Sequence, residues 1–196
     1  DSKNEKLLYV GTDNGLYVTF NNGGSWHPFS NGIPNVAVHD LVIQERENDL
    51  VVGTHGRSIY KTNISKLQDF DTYSSKSTHM FKIASLRSSS RWGSSWSQFS
   101  PVNTPKATIN VFSNSAKKAT ITVSSKNVVV NTISVKLDKG FNAVSYDVSF
   151  SKKGKKAFER ANKKKKLKAG QNGVYYLPKG KYTVSINGAK QTLQIK

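Results

Sequence analysis

The sequence predicts an all-β protein: the last blades of a β-propeller followed by an immunoglobulin-like β-sandwich. Three observations lead there. First, a phrase recurs. Leu8, Tyr9, Val10, Gly11 and Thr12 return as Leu50, Val51, Val52, Gly53 and Thr54 at an offset of 42, and Leu16 and Tyr17 return as Ile59 and Tyr60 at 43. A period of roughly 40–45 residues built from short strands is the signature of a propeller blade. Second, Val, Ile, Thr, Ser and Tyr dominate the apolar stretches, which favours strands over helices, and glycine marks their ends as tight turns require. Third, residues 106–196 are a series of short alternating segments separated by turn signals, about the size of an immunoglobulin-like module.

Taken in order, residues 6–12 read as a strand, Asp13, Asn14 and Gly15 as a turn suited to positive φ, and residues 16–20 as the return strand. Asn21, Asn22, Gly23 and Gly24 turn the chain into a third strand over 25–29. A loop with Pro34 leads to a strand at 38–44, and a polar turn to a hairpin of 49–54 and 58–62 around His55, Gly56 and Arg57. The strand at 38–44 precedes the second copy of the repeat, and its counterpart for the first copy would lie before Asp1. Two blades do not close a ring. The expectation is therefore that residues 1–66 are terminal blades of a larger ring, the last of them completed by a distant N-terminal strand.

Residues 67–105 are expected to be a linker and a Ser/Trp-rich loop. Residues 67–77 are polar, 79–86 form a short strand, and 85–105 form a long irregular loop carrying Arg87, Arg91, Trp92, Trp96 and Phe99. The sandwich strands are expected at 107–112, 119–124, 128–137, 143–150, 173–177, 181–186 and 190–195. Asp138 to Gly140, Pro178 to Gly180 and Asn187-Gly188 supply turns. A Lys-rich insertion at 152–170 interrupts the pattern, with Ala157, Phe158, Ala161 and Leu167 among ten Lys/Arg. It reads either as a short basic helix with Phe158 and Ala161 on one face or as a mobile insertion.

The 196 residues carry a formal net charge of +18, unevenly placed. Residues 139–196 hold 15 Lys/Arg against 2 Asp/Glu, a net +13. Such a surface suits anionic partners, and Lys163, Lys164, Lys165 and Lys166 are the candidate anion-binding residues. Aromatic residues do not interleave with this run, so nucleic acid is not the expected partner and a solvated Lys-rich surface is the plainer reading. With no cysteine, disulfides and thiolate metal sites are excluded. No apolar run approaches the roughly 18 residues that span a bilayer.

Thr19, Asn21, Gly23, Ser25 and Trp26 fit the Asp-box pattern Ser/Thr-x-Asp-x-Gly-x-Ser/Thr-Trp, with Asn21 in the place of the Asp. The physics is a hairpin turn. A short polar side chain caps backbone amides, Gly23 takes positive φ, and Trp26 is expected to pack between blades. The role is structural. Ile33 to Ile43, with His39 and Asp40, and Asn48 to Arg57 then resemble the last blade of large exported bacterial proteins with sortilin-type, Asp-box propellers of flavobacterial type. In that family a β-sandwich follows the propeller, and the stretches 105–110, 140–147 and 177–184 are similar to it. The resemblance implies an exported protein, in periplasm, at the cell surface or secreted, and a class often labelled glycosyl hydrolase by similarity.

Several residues have two readings. Asp40 is a candidate catalytic carboxylate, but glycosidases need two, roughly 5–10 Å apart, and no second stands out; the other reading is a hydrogen-bonded structural group. Asp13 and Asp49 read as turn residues. His55 and Arg57 could bind carboxylate or sugar hydroxyls at the propeller face, or Arg57 could bridge blades. Trp92, Trp96 and Phe99, with Arg87 and Arg91, could stack on sugar rings or pin their loop. His27, His39, His55 and His79 lie far apart in sequence without ligand spacing, so no metal site and no cofactor is expected. The function expected is a C-terminal scaffold and binding portion of an exported propeller, closing the ring and presenting the sandwich to a surface or periplasmic protein or to a polysaccharide. The alternative is part of a propeller glycoside hydrolase whose active site lies mainly outside these residues.

Overall fold

The computed structural model describes residues 1–29, 32–163 and 166–196. The described residues form antiparallel β-sheets with few helices. They divide into two compact units, Asp1–Ser74 and Ser75–Lys196.

The first unit holds two three-stranded sheets. One is ordered β1(Leu8–Thr12), β2(Gly15–Thr19), β3(His27–Pro28); the other β4(Val38–Gln44), β5(Asp49–Thr54), β6(Ile59–Asn63). The repeat is thus real at the level of structure: Gly11 on β1 and Gly53 on β5 occupy like places in like hairpins. Alternation drives the burial. Leu16 and Val18 on β2, and Leu50 and Val52 on β5, turn inward to join Leu7, Val38, Ile64 and Leu67 in one core. Strand β1 lies against β4, where Gly11 leaves room for the backbone of Val38: a Cβ there would fall 2.7 Å from the Val38 carbonyl oxygen.

Residues 67–77, expected to be a polar linker, begin instead with structure belonging to this unit. The short helices α1(Ser65–Gln68) and α2(Phe70–Tyr73) bury Leu67 and Tyr73. Phe70 stacks on Phe20 with ring centres 4.0 Å apart, and the Tyr73 hydroxyl donates to the Lys66 carbonyl. The apolar spacing of Leu67, Phe70 and Tyr73 carries this, outweighing the polar composition around it. The unit boundary accordingly falls at Ser74 rather than at residue 66.

The second unit has a three-stranded sheet, ordered β11(Gly140–Tyr146), β8(Ala107–Ser113), β7(Thr78–Met80). Its four-stranded sheet is ordered β10(Val128–Leu137), β9(Lys117–Ser125), β12(Gly180–Ile186), β13(Ala189–Ile195). Inward residues of both sheets share one core, with Ile109, Val111, Ile121, Val123, Val130, Val184 and Leu193 fully buried. The Asn187-Gly188 turn joins β12 to β13 with both residues at positive φ (46° and 86°), and the register pairs Ile186 with Ala189. The strand expected at 173–177 is not formed. That segment meets 148–150 through the isolated bridge of Ser149 with Tyr176, flanked by the Phe150 amide donating to the Tyr175 carbonyl and the Leu177 amide to the Val148 carbonyl, each at 2.8 Å, and Leu177 is its buried anchor.

The insertion begins with a helix, α3(Lys152–Ala161). Ser151 caps it, its hydroxyl accepting from the Gly154 amide at 3.0 Å. The packed face is Gly154 and Phe158, not Phe158 and Ala161; Ala161 is exposed. Spacing by four puts 154 and 158 in line on one side of the helix. Phe158 meets Phe150 with ring centres 5.1 Å apart, and Lys155 stands 4.2 Å over the Tyr175 ring while pairing with Glu159 at 3.4 Å. No described helix is long and apolar enough to cross a membrane.

Candidate functional site

The turn from Thr19 to Trp26 closes as its chemistry requires. Thr19 is fully buried; its hydroxyl donates to Asn21 Oδ1 at 2.8 Å and accepts from the Gly23 amide at 3.1 Å. Asn21 Oδ1 also accepts from the Ser25 amide at 2.8 Å, and Asn21 Nδ2 donates to the Ser25 hydroxyl at 3.1 Å. Gly23 sits at φ 91°. Trp26 departs from expectation: its indole lies over Gly23, 3.9 Å from where a Cβ would be, and stays 41% exposed. It precedes the outer strand of a three-stranded sheet, where no further strand of that sheet covers it.

A second cluster forms where β4 and the β5–β6 turn meet. The ladder slips between Val38 and Asp40, so His39 is the extra residue of a bulge. The His55 amide donates to the Ala37 carbonyl at 2.9 Å, holding the turn beside that bulge. Together these place the rings of His39 and His55 5.1 Å apart at an angle of 39°. Both side chains, with Asp40 and Arg57, are exposed. Asp40 spends one carboxylate oxygen on its own strand, accepting from the Leu41 amide at 2.9 Å. Sequence spacing missed the histidine pair, because 16 residues separate its members and only the bulge and the turn bring them together. A signal was present nonetheless: His39 is second in the strand read at 38–44 and His55 follows the strand read at 49–54, with one polar turn between the two strands.

Asp49, expected to be a turn residue, is the buried first residue of β5. It receives Lys61 Nζ at 2.7 Å and Asn63 Nδ2 at 3.3 Å from β6. The hydrogen bond from Lys61 holds its carboxyl below the usual carboxylate range, against the opposing effect of burial.

The Ser/Trp-rich loop of the second unit is fixed at its base. The Lys196 amide donates to the Leu86 carbonyl at 2.8 Å, the Leu86 amide to the Gln194 carbonyl at 2.9 Å, and the Ser88 amide to the Lys196 carbonyl at 2.8 Å. Gly93 is buried at φ 80° against Gly170, Asn172 and Tyr176, and its amide donates to the Asn103 carbonyl at 2.9 Å. Trp92 packs on the core edge-on to Tyr176, ring centres 6.0 Å apart. Trp96 and Phe99 do the opposite, at 85% and 89% exposure. The Arg91 guanidinium stands 5.6 Å over the Trp96 ring, and Arg91, Ser94, Trp96, Asn103 and Gln171 line one open cleft. An aromatic plate beside a cation, a hydroxyl and amides is the kit that holds a polar ring-shaped ligand.

Of the candidate anion-binding lysines, Lys163 and Lys166 are exposed near the C-terminal end of α3, while Lys164 and Lys165 lie outside the described residues. No family model, no curated protein and no solved structure matches the chain.

Proposed function

We propose that the chain is a non-catalytic scaffold and docking portion of an exported Asp-box propeller protein of the sortilin type. The first unit supplies adjoining blades, and the second, an immunoglobulin-like sandwich, presents its anchored loop to an acidic glycan. The blade reading is supported by two like three-stranded sheets carrying the sequence repeat, by the hydrogen-bonded Asp-box turn, and by the approach of Gly11 to Val38.

The observation that carries the docking role is Trp96. A tryptophan 85% exposed, under an arginine, on a loop whose base is pinned offers a held aromatic face on which a ring can stack. Arg91 and the basic balance of residues 139–196 favour an anionic sugar over a neutral one. The glycoside-hydrolase alternative gains nothing from Asp40, whose carboxylate is turned back on its own strand.

The test is binding of a uronic-acid or sulfated polysaccharide, with a neutral one beside it. Trp96→Ala should weaken binding roughly thirtyfold or more, the weight of an aromatic hot spot of about 2 kcal/mol. Trp96→Tyr should retain most of it. Equal affinity of parent and Trp96→Ala, or no preference for the anionic polymer, would refute the reading.

A further inference from the structure

We propose that His39 and His55 form a two-histidine site for a divalent transition-metal ion of the zinc, copper and nickel class, with water in the remaining positions. The argument starts from ring geometry. Two imidazoles sharing a tetrahedral ion at about 2.0 Å have their ring centres roughly 5 Å apart, and their planes are free to tilt. The observed values are 5.1 Å and 39°. A flat stack would bring the planes parallel, and an edge-on contact would set them near 90°; the pair does neither.

The backbone prepares this arrangement rather than leaving it to two mobile side chains. The bulge makes His39 the extra residue of β4, and the 2.9 Å bond from the His55 amide to the Ala37 carbonyl fixes the turn two residues away from it. Both rings are open to solvent, so an ion reaches them without any opening of the core. Imidazole nitrogen suits zinc, copper and nickel better than magnesium or calcium, which take oxygen ligands. Among the described residues no third His, Asp or Glu completes the set. Asp40, next in the chain to His39, commits one oxygen to the Leu41 amide. The site is therefore open and exchangeable, unlike a closed four-ligand structural zinc site.

The experiment titrates Zn²⁺, Ni²⁺ and Mg²⁺ separately into the full chain, reading heat of binding and the imidazole NMR resonances. One Zn²⁺ or Ni²⁺ per chain is expected, with the His39 and His55 signals shifting together and no response to Mg²⁺. His39→Asn and His55→Asn should each weaken binding about tenfold or more, as loss of one of two ligands demands. His27→Asn removes an exposed histidine on the other sheet and should change nothing. Absence of saturable binding, or equal affinity in parent and both single variants, would overturn the site. So would a loss that follows His27. Folding of each variant is verified independently by its backbone amide spectrum, since both positions are exposed.

Discussion

Gly154 on α3 lies directly on the backbone of Val130 on β10: a Cβ at Gly154 would fall 1.9 Å from the Val130 carbonyl oxygen. The helix can approach the sheet this closely only because residue 154 has no side chain. The contact is reinforced by the Ser151 amide, which donates to the same carbonyl at 3.0 Å. Gly154→Ala is expected to lift α3 off β10 and lower stability by about 1–3 kcal/mol or more, since backbone cannot yield as a side-chain end can. Chemical denaturation measures it. Ala157→Gly, on the same helix away from that contact, should cost no more than the intrinsic helix penalty of about 1 kcal/mol.

The repeated glycines should behave differently from each other. Gly11→Ala meets Val38 Cγ1 at 2.6 Å and the Val38 carbonyl at 2.7 Å, whereas Gly53→Ala meets nothing nearer than Asp40 Cβ at 3.5 Å, an ordinary contact. Gly11→Ala is expected to destabilise the first unit by about 1–3 kcal/mol and Gly53→Ala to be close to neutral. Equal effects in thermal melts would mean that β1 and β4 are not held as described.

The turn from Thr19 to Ser25 offers a graded series. Thr19→Val removes the hydroxyl that receives the Asn21 and Gly23 amides, with an expected loss of about 1–3 kcal/mol for the donors left without it. Asn21→Asp keeps the oxygen that accepts from the Ser25 amide and should be near neutral, while Asn21→Ala should cost about 1 kcal/mol. The urea midpoint should be lowest for Thr19→Val, intermediate for Asn21→Ala and highest for Asn21→Asp.

Two tyrosines, Tyr9 and Tyr146, should part company. Tyr9 has a buried hydroxyl with no hydrogen-bond partner among the described residues, whereas the Tyr146 hydroxyl donates to the Ser149 carbonyl at 2.5 Å. Tyr9→Phe should therefore be neutral or stabilising, and Tyr146→Phe should cost about 1 kcal/mol. Burial pushes both phenols up, so neither titrates near neutral pH.

Acid should weaken the first unit through Asp49. Its carboxyl is held below the ordinary value by Lys61, so this contribution is fully present above the unfolded-state pKa and is lost as pH falls through the lowered folded value. Asp49→Asn should flatten the acid limb of the stability profile and, because Asp49 also holds Lys61 above the ordinary lysine range, the alkaline limb with it. A parallel acid limb in parent and variant would remove Asp49 from the account.

The amino-acid sequence alone determined the all-β class, the repeat and most strand positions. Strands 38–44, 49–54 and 128–137 fall where alternation and turn residues put them. Those signals are local: side-chain alternation, positive-φ glycines and the two-residue Asn187-Gly188 turn act within a few residues, so they can be read along the chain. The tertiary structure decided what depends on distant partners. Residues 67–73 are recruited to the core of the first unit by Phe20, and Trp92 is separated from Trp96 because Tyr176 takes one and not the other. His39 meets His55 only through a bulge and a cross-strand bond. Long-range packing energy is set by neighbours that sequence order does not name, so the sequence offered Arg91, Trp96 and His55 as candidates and the tertiary structure decided which side chains come together.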